Sequence, residues 1–263
     1  MCLIAVAWRA HPDFPLVVAG NRDEFFARPT EAAHWWDEPE LLAGRDLQAG
    51  GTWMGVTCAG RFAALTNHRD PSSQRPDAPS RGALVGSFLA SASKPFAALD
   101  EIARDASRYN GFNLLAGQWQ GDDAGLWVVD ETARVTALAP GVHGLSNARV
   151  DTPWPKVDHA IAGTREALAS TGDADTLIAR LFALLDDRTI APDDRLPHTG
   201  VSRDTERALS APFIRMPGYG TRASTVLLVA RDGRVTFVER LCEPDTPVVT
   251  QRYAFETSAA RAP

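Results

Sequence analysis

Lysine is nearly missing from this sequence: Lys94 and Lys156 are the only two among 263 residues, and positive charge rests on arginine. With 27 basic residues against 33 acidic ones, the formal net charge is −6, and no basic run stands out. That balance excludes a nucleic-acid groove, which needs a concentrated cationic surface. Cysteine is also scarce. Cys2, Cys58 and Cys242 have no Cys-x-x-Cys spacing, which excludes a zinc knuckle and a disulfide framework. The six histidines lack ligand spacing, so no metal is expected. No apolar run approaches a membrane span, and "MCLIAVAWRA" reaches Arg9 without a basic leader. The expectation is a cytoplasmic protein with no nucleic-acid partner, no stable membrane insertion and no signal peptide.

What is present is a globular composition, 44% apolar and 23% charged, enough to bury a sizeable core. Short apolar or alternating runs at "CLIAVAW", "LVVAG", "GTWMGVT" and "RFAALTN" predict strands in the first third of the chain. "GALVGSFLA" and "PFAALDEIARDAS" predict helices, the second with proline in its first turn. Strands return at "FNLLAGQ", "GLWVVD" and "RVTALA". Helices follow at "PWPKVDHAIAGTREALAS" and "DADTLIARLFALLDD", the latter capped by Asp173. The polar stretch 186–212 reads as a loop insertion. Beyond it "STVLLVA" and "RVTFVER" form a hairpin about Asp232-Gly233, and 257–263 reads as a frayed tail. Hairpin-linked strands with helices in two blocks break the βαβ alternation of a doubly wound fold. The order predicts an α+β protein, a four-layer αββα sandwich of two antiparallel sheets, as a single domain over 1–263.

The stretch "LVVAGNRDEFF" raises the functional question, because four polar residues, Asn21, Arg22, Asp23 and Glu24, close an apolar strand. A first hairpin turning near Pro12–Asp13 pairs residues whose numbers sum to about 25, within about two. Cys2 then lies near Asp23 and Leu3 near Arg22. Alternation puts Asn21 and Asp23 on one face and Arg22 and Glu24 on the other, without saying which pair faces Cys2. Removal of Met1 before the small Cys2 leaves one residue with a thiol and an α-amine of pKa about 8, a nucleophile beside its own base. A guanidinium nearby favours the thiolate and a carboxylate orients the ammonium. The bland alternative is a small apolar residue entering a strand.

Three further polar residues flank strand-like segments: Asn67 ending "RFAALTN", Asn147 in "GLSNARV" and Arg222 in "YGTRAST". An asparagine at a strand end suits an oxyanion donor or an ordinary turn. An arginine there suits a carboxylate anchor, support for the nucleophile, or plain surface charge. His34-Trp35-Trp36 suits an aromatic pocket or a core edge. "GYGTRAS" lacks the Lys-Ser/Thr ending of a phosphate loop, and no helix follows "AGGTWMG", which therefore reads as a turn.

Taken together, "NRDEFFARPT", "GGTWMGV", "GRFAALTN", "SRGALV", "YNGFNLL", "GLSNARVDTPWPKV" and "YGTRASTVLLV" resemble the NRDE family, the transport and Golgi organization protein 2-like proteins. That family resembles the N-terminal nucleophile hydrolases, including penicillin V acylase and bile salt hydrolase, whose fold is the αββα sandwich. The resemblance implies Cys2 as nucleophile, Asn67 and Asn147 near the oxyanion, and Arg222 as a late arginine. Those hydrolases read Gly-Arg-Asn-x-Asp after the second strand, whereas this chain reads Gly20-Asn21-Arg22-Asp23-Glu24. Aligned on glycine, Asn21 and Glu24 stand in for arginine and aspartate; aligned on residue type, Arg22 and Asp23 are one position out of step.

The expected activity is hydrolysis of a non-peptide amide, with Cys2, Arg22, Asp23, Asn67, Asn147 and Arg222 catalytic and Asn21, Glu24 and Trp53 contacting a small-molecule substrate. No cofactor is required on that expectation. The alternative is a non-catalytic carrier of haem or a hydrophobic acyl ligand on the same fold.

Overall fold

A computed structural model describes residues 2–170, 172–244 and 246–257. Met1 and the tail from 258 lie outside the described residues. The chain folds into two seven-stranded antiparallel sheets packed face to face. The first sheet contains β1 (Cys2–Trp8), β2 (Leu16–Phe25), β10 (Gly141–Leu145), β11 (Arg215–Met216), β12 (Tyr219–Val229), β13 (Arg234–Leu241) and β14 (Val249–Glu256). Its order is β10-β1-β2-β12-β13-β14, with β11 on β12. The second runs in chain order through β3 (Thr30–Trp36), β4 (Leu41–Asp46), β5 (Met54–Val56), β6 (Arg61–Asn67), β7 (Phe112–Gln118), β8 (Gly125–Val129) and β9 (Val135–Ala137).

Alternation along β1 explains the layers. Ile4, Val6 and Trp8 face the second sheet with Val18, Met54, Phe62 and Leu227. Leu3, Ala5 and Ala7 face outward, onto α3 (Pro155–Ser170) and α4 (Ala174–Leu185). The outer face of the second sheet is covered by α1 (Gly82–Ala90) and α2 (Pro95–Arg104), through Val85, Phe88 and Leu99. A strand with both faces apolar is buried on both sides, as "CLIAVAW" requires. The four-layer αββα sandwich follows. None of the described helices is long and apolar enough to cross a membrane.

Two expectations are corrected. The 186–212 stretch is not simply a loop: it carries α5 (Arg203–Leu209), capped by Ser202 on the Thr205 amide. Buried Leu196, Leu209 and Ala211 dock it onto the domain. The frayed tail does not begin at 257, because β14 extends the first sheet to Glu256 and Thr257 is buried with its hydroxyl donating to Gln120. Of the two readings of His34-Trp35-Trp36, the structure agrees with the core edge: the residues lie in β3, which has a register irregularity between Glu31 and His34, and both tryptophans pack on the core. The Trp36 indole donates to the Ala43 carbonyl, and Trp35 packs edge-on against Phe255.

One carboxylate bridges the sheets. Glu239 on β13 is 1% exposed and accepts the Ala33 amide of β3 at 2.6 Å. Burial pushes it up to about 7, against the Ala33 hydrogen bond and the charges of Arg22 and His34. The folded state therefore holds a proton that the unfolded state releases near pH 4.5, so stability falls as pH rises from 4.5 to 7 and then levels. The expected span is about 3 kcal/mol. Glu239→Gln should flatten that part of the stability curve and leave the protein more stable than wild type above pH 7; denaturant melts at pH 5 and pH 8 check it. An unchanged pH slope in the variant would overturn the assignment.

Candidate active site

The first hairpin sets the site. Cys2 pairs with Arg22 and Leu3 with Asn21, one residue from the expected register. Directly opposed residues share a face, so Cys2 and Arg22 point between the sheets with Glu24, while Asn21 and Asp23 point toward the helix layer. The parity left open by sequence is thereby decided for Arg22.

Cys2 lines a cavity of about 360 Å³ at the open end of the sandwich. The first sheet contributes Cys2, Arg22, Asp23 and Glu24, and the turn after β2 contributes Arg28. The second sheet contributes Asp46, Leu65 and Asn67, and the loop before β5 contributes Trp53; Ser80, Arg81 and Gly82 come from the entry to α1. Gly51 makes this closure possible: a Cβ there would sit 2.6 Å from the Gly82 carbonyl carbon, so only glycine lets the 46–53 loop press on the start of α1.

The charges in the cavity are mostly interlocked. Asp46 accepts the Arg28 Nε at 2.7 Å, lies 3.6 Å from Arg22, and takes the Gln48 and Ala49 amides on its other oxygen. Arg22, 5% exposed, also donates to the Thr30 hydroxyl at 2.9 Å. Glu24 accepts the Phe25 amide and lies 3.9 Å from Arg28. Burial pushes the Cys2 thiol up; the Asp23 backbone amide, which hydrogen-bonds the sulfur, and the Arg22 guanidinium pull the other way. A buried thiol of this kind is protonated at neutral pH and needs a base beside it to react.

Behind Cys2 lies a second polar layer. Asp23 is buried and accepts the Thr221 hydroxyl at 2.7 Å. Burial pushes its carboxyl up, and Lys156 on α3 is the strongest opposing charge. Lys156 is itself buried, pushed down to about 8 by desolvation against the pull of Asp23. Arg69 pairs with Glu206 of α5 at 2.9 Å and stacks on Trp154.

The other expected residues separate into two groups. Asn67 and Trp53 line the cavity, and the Asn67 side chain makes no hydrogen bond among the described residues. Asn147 does not reach the cavity. Its Nδ2 donates to the Asn67 carbonyl at 2.9 Å and its Oδ1 accepts from Arg69, so it holds the end of β6. Arg222 also stays outside, donating to the carbonyls of Phe25, Phe26 and Arg28 and to Glu243. It shapes the turn that carries Arg28. Asn21, expected at substrate, points the other way and is fully engaged: Nδ2 donates to the carbonyls of Leu185 and Pro212, and Oδ1 accepts the Ser224 hydroxyl. Arg28, Asp46 and Arg81 were not singled out, although "NRDEFFARPT" and "SRGALV" contain two of them; Arg28 stands in a turn and the other two at the ends of elements, where the sequence gives no sign of what they face.

A family model described as "Transport and Golgi organisation 2" matches residues 1–244. The chain belongs to that family. The bovine Transport and Golgi organization protein 2 homolog is 37% identical over 258 residues, 91% of this chain and 92% of its own length. The mouse homolog is 34% identical over 94% of this chain and 95% of its own length, and the Drosophila melanogaster protein 27% over 91% of both. Among solved structures, the chain is similar to a conjugated bile acid hydrolase from Clostridium perfringens, at 10% identity and a TM-score of 0.45, covering 98% of this chain and 93% of that one. It is also similar to an N-acylethanolamine-hydrolyzing acid amidase ortholog from Caenorhabditis elegans, at 9% identity and a TM-score of 0.39, covering 86% and 92%. The family match covers every strand except β14, together with every residue described above as lining the cavity.

Proposed function

We propose that this member of the Transport and Golgi organisation 2 family is an amide hydrolase whose nucleophile is Cys2, exposed as the first residue by removal of Met1. The observation that carries the reading is the placement of the Cys2 thiol in a polar cavity, against the Asp23 backbone amide and the Arg22 guanidinium. The buried thiol needs an adjacent base, and the α-amine of the same residue is the nearest group of suitable pKa. The amine takes the thiol proton, sulfur attacks the amide carbonyl, and the C–N bond breaks as the amine returns the proton to the leaving nitrogen. Water then cleaves the thioester and restores the thiol. Asn67, whose side chain is uncommitted, is the candidate donor to the tetrahedral oxyanion. Asn147 and Arg222 act at one remove, by holding Asn67 and the Arg28 turn. Asp23, with Lys156 behind it, orients the ammonium. The alternative of a haem or hydrophobic acyl carrier draws no support from walls of interlocked arginine and carboxylate, which offer an apolar ligand little to pack against.

Protein carrying its natural N-terminus is to be tested with a cyanobenzothiazole, which condenses only with a terminal cysteine bearing both thiol and free amine. Intact mass is expected to show loss of Met1 and a single adduct at Cys2. Retention of Met1 would sink this mechanism.

A further inference from the structure

Two of the three arginines lining the cavity are held by carboxylates, and one is not. Arg22 and Arg28 share Asp46 and Glu24, and Asp23 is backed by Lys156. Arg81 makes no salt bridge among the described residues: its guanidinium donates to the Gly111 carbonyl at 3.0 Å, and the Glu24 carboxylate acts on it only across the cavity, opposed by Arg28. It lines the same cavity as Cys2, within electrostatic reach of the thiol, and stands at the entry to α1, whose amide dipoles add positive potential there. A guanidinium partly withdrawn from water and bound only to a neutral carbonyl retains donors shaped for a carboxylate. The cavity is also compact, with polar groups on most of its wall.

From this guanidinium held by no salt bridge we propose that the substrate is a small amide bearing a carboxylate, an N-acyl amino acid by chemical class, and that Arg81 binds the carboxylate while Cys2 faces the amide carbonyl. The proposal takes its reacting bond from the hydrolase reading above, but the anion site stands on the cavity alone and is tested without turnover.

The test compares alkylation by iodoacetate and by iodoacetamide, which deliver the same carbon to sulfur and differ in charge. Peptide mapping by mass spectrometry reads both rates at Cys2, with the partly exposed Cys58 as reference in the same molecule. The iodoacetate-to-iodoacetamide rate ratio is expected to be at least tenfold higher at Cys2 than at Cys58. In Arg81→Gln it should fall to the Cys58 value, and in Arg81→Lys it should stay intermediate, since lysine keeps the charge but loses the fork. N-acetylglycine should slow alkylation of Cys2 in the wild type and not in Arg81→Gln. Equal ratios at the two cysteines, a Cys2 ratio indifferent to Arg81→Gln, or a Cys2 that neither reagent reaches would overturn the anion site. Unchanged Cys58 rates in the variants report that the fold is intact. A preserved anion preference without hydrolysis of N-acyl amino acids would count against the hydrolase reading alone; hydrolysis of neutral amides without the preference would count against this proposal alone.

Discussion

Replacing Cys2 with alanine is expected to abolish amide hydrolysis, a loss on the order of 10⁴-fold or more, while leaving the fold intact. The size follows from the chemistry. Without the sulfur no acyl-enzyme forms, and water must attack an amide held only by the cavity walls. The structural cost is small because the change removes one sulfur atom at the start of β1 and leaves the Ser146 hydroxyl bonded to the position-two carbonyl. Alanine is as small as cysteine for the purpose of Met1 removal, so the α-amine is still exposed. Release of free amino acid from N-acetylglycine, followed by chromatography beside a thermal melt, separates the two effects. A variant that melts as wild type and hydrolyses at an undiminished rate would remove Cys2 from the mechanism and leave the polar cavity as a binding site.

The largest effect on stability is expected at Asn21. Its amide makes three buried hydrogen bonds, to the carbonyls of Leu185 and Pro212 at 2.9 and 3.0 Å and from the Ser224 hydroxyl at 2.7 Å. They tie the middle of the first sheet to the C-terminal end of α4 and to the segment leading into β11. Asn21→Ala leaves two carbonyls and a hydroxyl buried without that partner, at a cost of about 3–5 kcal/mol. The expected fall in melting temperature is on the order of 10 °C. Asn21→Asp keeps the shape but replaces two donors with charge facing two carbonyl oxygens, so it should destabilise at least as much as alanine near neutral pH. A melt within about 2 °C of wild type for either variant would show that these bonds are worth little.

The sheets and helices were legible where apolar periodicity is local and strong. β1 is a continuous apolar run, β6 and β7 are built around the short apolar runs "FAAL" and "LLA", α1 coincides with "GALVGSFLA", and Asp173 caps α4 through the Thr176 amide. β3 was hidden by its irregular register, which breaks the alternation that marks a strand. β14 escaped because it is an edge strand with charged and polar residues on its open face, the composition that protects such edges from pairing with another chain. α5 carried a signal that went unused, a serine cap followed by Asp204 and Glu206 in the first turn.

The sequence by itself determined the four layers and the meeting of Cys2 with the Asn-Arg-Asp-Glu quartet, because a short hairpin constrains its own pairing to within a residue or two. That residue matters: with a period of two, a shift of one exchanges the faces of all four side chains. Tertiary structure alone decided that Arg22 shares the face of Cys2, that the Asn21 side chain is hydrogen-bonded on the helix side away from the cavity, and that the Asn147 and Arg222 side chains bond to the segments around the cavity rather than lining it. It also brought in Asp46 and Arg81, which lie far along the chain on the opposite sheet and its helix. Their role comes from sheet-on-sheet packing, and that distance in space is fixed by the whole core rather than by neighbouring residues.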